Sequence, residues 1–162
     1  MLTEVVFMGV REARALEPRQ DTVIISILDQ FEEHNRPDRL HLFRDHLILN
    51  FVDITEKPDE TPWPDEMTPE QHKAVCTWDE DRAPELGDAQ RIVAFVEKHH
   101  RDPNDLHLVV HCHGGVSRSA AVAQWVSEAY VVSLLRPEEG GRSLEGANSR
   151  VLRLLQLAAI RR

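Results

Sequence analysis

The chain has 162 residues, 41% of them apolar and 29% charged, which is the length and composition of one globular domain with a core large enough to need no disulfide or metal staple. With 19 basic against 28 acidic side chains, the formal net charge is −9, which opposes phosphate backbones and argues against nucleic acid as a partner. Two cysteines exclude a disulfide framework, the opening MLTEVVFMGVREARALEP lacks the features of a secretory signal, and no apolar run is long enough to cross a bilayer, so a cytoplasmic protein with reduced thiols and no membrane partner is expected.

Residues 4–10 (EVVFMGV) form a short β-branched run, and residues 11–16 (REARAL) read as a brief helix. The near-continuous apolar run at 22–28 (TVIISIL) has the pattern of a strand buried on both faces. A third strand is expected at 46–52 (HLILNFV). Residues 56–84 break the pattern with Pro58, Pro62, Pro64, Pro69 and Pro84 among many acids, marking a loop-rich, proline-rich acidic insertion. Within it, Thr68-Pro69-Glu70-Gln71 carries the cap and first-turn proline of a short helix.

Leu86, Ala89, Val93 and Val96 share one helical face, so 85–99 is expected to be an amphipathic helix. After the turn Asp102-Pro103-Asn104 comes a buried strand at 106–110 (LHLVV), then a glycine-containing loop and an alanine-rich helix from Arg118 to about residue 132. Residues 136–147 (RPEEGGRSLEGA) read as a flexible connection. Asn148 is placed to cap a last helix that turns Val151, Leu152, Leu155 and Ala158 inward. Strands alternating with helices predict one α/β domain over 1–162, with three layers, a central mainly parallel sheet of four or five strands and helices on both faces.

The chemistry concentrates in His111 to Ala120, HCHGGVSRSA. A loop with two glycines joins a buried strand to a helix that starts near Arg118. Its backbone N–H groups and the positive end of the helix converge on one point, which suits an anion. Gly114 and Gly115 permit the tight curve, and Arg118 offers a planar fork for two phosphate oxygens. Cys112, at the base of that cradle, should lose its proton readily, as thiols near helix N-termini and cations do. A thiolate in an anion cradle is a nucleophile aimed at phosphorus.

These residues resemble the signature of the cysteine-dependent protein tyrosine and dual-specificity phosphatases: His-Cys, five residues, Arg, then Ser or Thr. The similarity runs from Thr22 to about Leu157 in the order of elements, and it looks closest to small bacterial members with an acidic turn upstream, here Val52-Asp53-Ile54. The resemblance implies an α/β/α phosphatase domain that needs no cofactor or metal and hydrolyses phosphate monoesters on a phosphorylated protein, tyrosine above all but also serine or threonine, or on a small phosphoester. Cys112 would be the nucleophile, and Arg118 would bind phosphate in the transition state. Ser119 would donate to the leaving thiolate, and His111 would position it. The backbone from His113 through Gly114, Gly115, Val116 and Ser117 to Arg118 would hold the non-bridging oxygens.

A general acid must protonate the departing oxygen and later activate water. Asp53, directly after a strand, is the first candidate. Asp65 in Trp63-Pro64-Asp65 matches the acid triplet of the larger tyrosine-specific members but lies deep in the insertion, and Asp79 and Asp81 follow. Cys76 is a bystander or a thiol able to resolve oxidised Cys112. Asn35-Arg36 echoes another dipeptide of the family, yet Pro37 makes it read as a turn, and His99-His100 reads as a partner for a helix dipole. An RNA 5′-triphosphatase and a phosphate-binding module without turnover are the alternative functions.

Overall fold

Three runs of mostly β-branched and leucine residues, interrupted by no glycine or proline until their ends, build the centre of the sheet. In the computed structural model, which describes residues 1–135 and 143–161, these are β1 (Leu2–Gly9), β2 (Thr22–Leu28) and β4 (Leu106–Cys112). They are joined by β3 (Asp45–Asn50) and a three-residue β5 (Ser133–Leu135). The order is β3-β2-β4-β1-β5, and each neighbouring pair is parallel. All seven residues of β2 are buried, as a strand covered on both faces requires.

Alternation along the strands assigns the two faces. Val5, Phe7, Val23, Ile25, Ile27, Leu108 and Val110 pack with α3 (Leu86–His100), α4 (Arg118–Tyr130) and α5 (Ser149–Ile160) in the larger core. Met8, Ile24 and Val109 face the other way, against Ala13 of α1 (Val10–Ala15), Leu40 and Phe43. The three-layer α/β/α arrangement is therefore uneven, with three long helices on one face and a six-residue helix plus a 3-10 turn on the other. The sheet has five strands, all parallel, at the upper end of the expected count.

The proline-rich stretch holds one regular element, α2 (Pro69–Val75), closed by the Thr68–Gln71 capping box. The two ends of the stretch are tied down by α5. Arg150, fully buried, donates to the carbonyls of Trp63, Pro64 and Pro84 and to Glu56, while Arg153 reaches Glu56 and Asp65. The expected flexible connection at 136–147 falls largely on residues 136–142, outside the described residues; its end forms a 3-10 turn, Leu144–Gly146.

Helix α4 ends two residues earlier than the apolar pattern suggested, because Val131 takes the left-handed cap at φ 55° and the chain turns into β5. A β-branched residue is strained there, and Val131 is 92% exposed, so its side chain returns little packing. Val131→Gly is expected to raise stability by about 1 kcal/mol, a few degrees in Tm for a domain of this size, measured by thermal or urea unfolding.

Candidate active site

Strand β4 delivers Cys112 to the carboxyl edge of the sheet with its side chain on the larger-core face, 2% exposed. The chain then curls through five residues before α4 begins. Gly115, at φ 65°, turns its N–H onto Cys112 Sγ at 3.3 Å, and Ser119 Oγ sits 3.1 Å from the same sulfur. Two glycines outside the loop let other backbone close upon it. A Cβ on Gly9 would lie 3.1 Å from the His113 carbonyl, and one on Gly146 would lie 2.7 Å from Val116 Cγ1. The carbonyls of His113 and Ser117 are taken by the N–H groups of Val10 and Asn148, each at 3.0 Å.

Arg118 is 5% exposed, and its Nη1 donates to Asp29 at 2.5 Å and to the Phe51 carbonyl at 2.7 Å. Its Nε is buried and has no partner among the described residues. Burying a guanidinium N–H with nothing to receive it is costly, so this atom calls for an acceptor such as an anion oxygen. Asp29 and Phe51 directly follow β2 and β3, so the carboxyl ends of three adjacent strands converge here, where open parallel sheets hold their ligands. Asp29 was absent from the sequence-based set. The signal for it was an acid placed directly after a doubly buried strand.

The candidate acids separate clearly. Asp53 Oδ1 accepts from Ser117 Oγ at 2.5 Å and from Asn148 Nδ2 at 2.6 Å, which ties it to the loop. Asn148 is fully buried and caps α5 through Val151, as expected, but its bridge to Asp53 was not foreseen. Asp65 instead pairs with Arg153 at 2.8 Å, and its carbonyl receives the Leu86 N–H. Asp81 is buried under the Phe31 N–H, and Asp79 is exposed.

His111 faces away from the thiol. Strand alternation puts its ring with Ser26 on the thinner side of the sheet, where Nε2 lies 2.5 Å from Ser26 Oγ and Nδ1 lies 3.3 Å from the Cys112 carbonyl. Burial is the main reason its pKa is lowered to about 4, and the charges of Arg36 and Arg118 push the same way. His113 is exposed, 3.6 Å from Glu32. Phe31, the chain neighbour of that Glu32, stacks its half-exposed ring on Trp78 at 4.7 Å. Burial, with Asp81 and Asp29 adding to it, pushes the Cys76 thiol up, away from the thiolate that disulfide exchange needs. His99, buried against Asp45, is held toward its neutral form chiefly by burial, which weakens its expected part as a cation at the helix end.

The buried His111 makes stability depend on pH in a defined window. The unfolded chain protonates this histidine near pH 6.5 and the folded chain only near 4, so between those values the unfolded state binds the extra proton and stability falls as pH falls. The loss from this group reaches about 3 kcal/mol at the bottom of the window. Denaturant unfolding at pH 7 and pH 5 should show it, and His111→Gln should flatten the slope.

No family model and no curated protein matches the chain. Among solved structures it is similar to the crystal structure of human tyrosine phosphatase-like serine/threonine/tyrosine-interacting protein, at 17% identity and a TM-score of 0.41, over 86% of this chain and 76% of that one.

Proposed function

We propose that the chain is a metal-independent phosphatase that hydrolyses phosphate monoesters through a cysteinyl-phosphate intermediate, with aryl phosphates such as protein phosphotyrosine as its substrate class. The observation that carries this reading is the pairing of a buried thiol, contacted by Gly115 N–H and Ser119 Oγ, with a buried arginine whose Nε lacks a protein acceptor.

Cys112 Sγ attacks phosphorus and the ester P–O bond breaks. Asp53 gives its proton to the departing oxygen. Its Oδ1 is engaged by Ser117 and Asn148, so Oδ2 is the oxygen left to carry that proton. Water then attacks the cysteinyl phosphate, Asp53 takes up the water proton, and the S–P bond breaks while the Ser119 hydroxyl donates to the thiolate. The loop amides and Arg118 supply the charge stabilisation that a metal supplies in other phosphatases. The aryl preference is supported by the Phe31–Trp78 stack, which begins two residues beyond the Asp29 that holds Arg118 and offers apolar faces to a ring.

Hydrolysis of para-nitrophenyl phosphate should survive EDTA, stop with vanadate and disappear in Cys112→Ser; strict dependence on a divalent ion would overturn the cysteine mechanism. Asp53→Asn should lower kcat by roughly 10²–10⁴, most for esters with poor leaving groups, while Asp65→Asn leaves turnover nearly unchanged. The reverse pattern would move the acid to Asp65. Trp78→Ala should lower kcat/KM for a phosphotyrosine peptide roughly three- to tenfold and spare a phosphoserine peptide of the same sequence.

A further inference from the structure

Arg36, which the sequence presents as part of a turn before Pro37, sends its side chain inward, and only 6% of it stays exposed. All five of its N–H donors are engaged. Nε and Nη2 clasp Glu33 at 2.9 and 2.7 Å, Nη2 also reaches the Leu49 carbonyl, and Nη1 donates to both the carbonyl and the hydroxyl of Ser26, at 2.8 and 2.7 Å. Glu33 is held in turn by Asn50, so the guanidinium is fixed from two sides. Apart from Thr22 at its start, Ser26 is the one polar residue of β2, and it is the register partner of His111.

These contacts set the direction of every proton. Arg36 can only donate, so Ser26 Oγ accepts from it; the Cys112 carbonyl can only accept, so the neutral ring donates to it from Nδ1 and leaves Nε2 to receive the Ser26 hydroxyl proton. Nε2 is then the acceptor nitrogen of a neutral ring, and the ring proton lies on Nδ1, facing the Cys112 carbonyl. The carbonyl oxygen and the next N–H point in opposite directions across a trans peptide, so anchoring the Cys112 carbonyl on His111 aims the His113 N–H away from the histidine.

We propose that Arg36 and Ser26 are positioning residues for the phosphate loop: they hold His111 as the Nδ1–H tautomer, which anchors the first peptide of the loop and so orients the His113 N–H and the Cys112 thiol for the oxyanion. This rests on the phosphatase reading for its consequence, but the tautomer can be tested separately. Nitrogen-15 NMR of the folded wild-type protein should show His111 protonated on Nδ1 and bare at Nε2. In Ser26→Ala the ring keeps its proton on Nδ1, facing the Cys112 carbonyl, but loses the hydroxyl that fixes Nε2, so the His111 nitrogen-15 signals should shift and broaden, vanadate inhibition should weaken roughly tenfold or more, and kcat should fall further than KM rises. Ser26→Thr keeps the hydroxyl and should restore the His111 signals and the activity. Arg36→Lys, which cannot hold Glu33 and Ser26 with one planar fork, should behave like Ser26→Ala. A wild-type ring protonated on Nε2 would overturn the proposal, as would a folded Ser26→Ala protein with unchanged His111 signals and unchanged vanadate inhibition. Loss of the phosphatase reading would show differently: no vanadate-sensitive turnover in the wild type, with the tautomer still as stated.

Discussion

A β-strand turns successive side chains to opposite faces, and the end of β4 is organised by that constraint. Cys112 goes to the face covered by α3, α4 and α5, where Gly115 and Ser119 meet it. His111 goes to the thinner face, where Ser26 and Arg36 meet it. The His111 ring reaches its neighbour through the backbone, at the Cys112 carbonyl. A histidine beside a thiol in sequence suggests a direct pair, but in an extended strand the two side chains stand on opposite sides of the sheet.

Three buried arginines show how donor accounting separates scaffold from site. Arg36 has all five N–H groups engaged, and Arg150 directs each of its three nitrogens to carbonyls or to Glu56 across the insertion. Both are closed arrangements that hold segments together. Arg118 is equally buried yet keeps Nε without an acceptor, while Asp29 and the Phe51 carbonyl fix its other end. A guanidinium held at one side and open at the other is the arrangement that the proposed phosphate-binding role requires. The pairing also places the Asp29 carboxylate beside Arg118 in a chain that already carries −9, so any attraction for the proposed phosphate group must be local.

The last helix fastens both ends of the insertion. Arg150 and Arg153 gather Glu56, Asp65 and three carbonyls, and Asn148 at the start of α5 joins Asp53 to the loop. The Trp63-Pro64-Asp65 triplet is thus engaged in structural contacts, with its carboxylate on Arg153 and its carbonyls on Arg150. Asp53 is held to Ser117 by contacts that come from residues 95 and 64 positions away in the chain.

Much of the fold was legible in the residues. The apolar run at 22–28 matches β2 at both ends, the Leu86–Ala89–Val93–Val96 face matches α3, and Asn148 does cap α5. These depend on local periodicity and capping, which a single segment carries by itself. The two-glycine loop between a buried strand and a helix was equally readable, because its geometry follows from adjacent residues. Asp29, the buried course of Arg36, the Asn148–Asp53 bridge and the short strand β5 were not. Each depends on pairing between strands or helices distant in sequence: β5 exists because Glu4–Val6 offers it an edge, and Arg36 turns inward because Ser26, Glu33 and the Leu49 carbonyl meet there. The sequence by itself determined the strand, the loop, the thiol within it and Arg118 at the start of the helix; the tertiary structure decided which carboxylates stand around them, because long-range packing and the satisfaction of buried donors choose among acids that look alike along the chain.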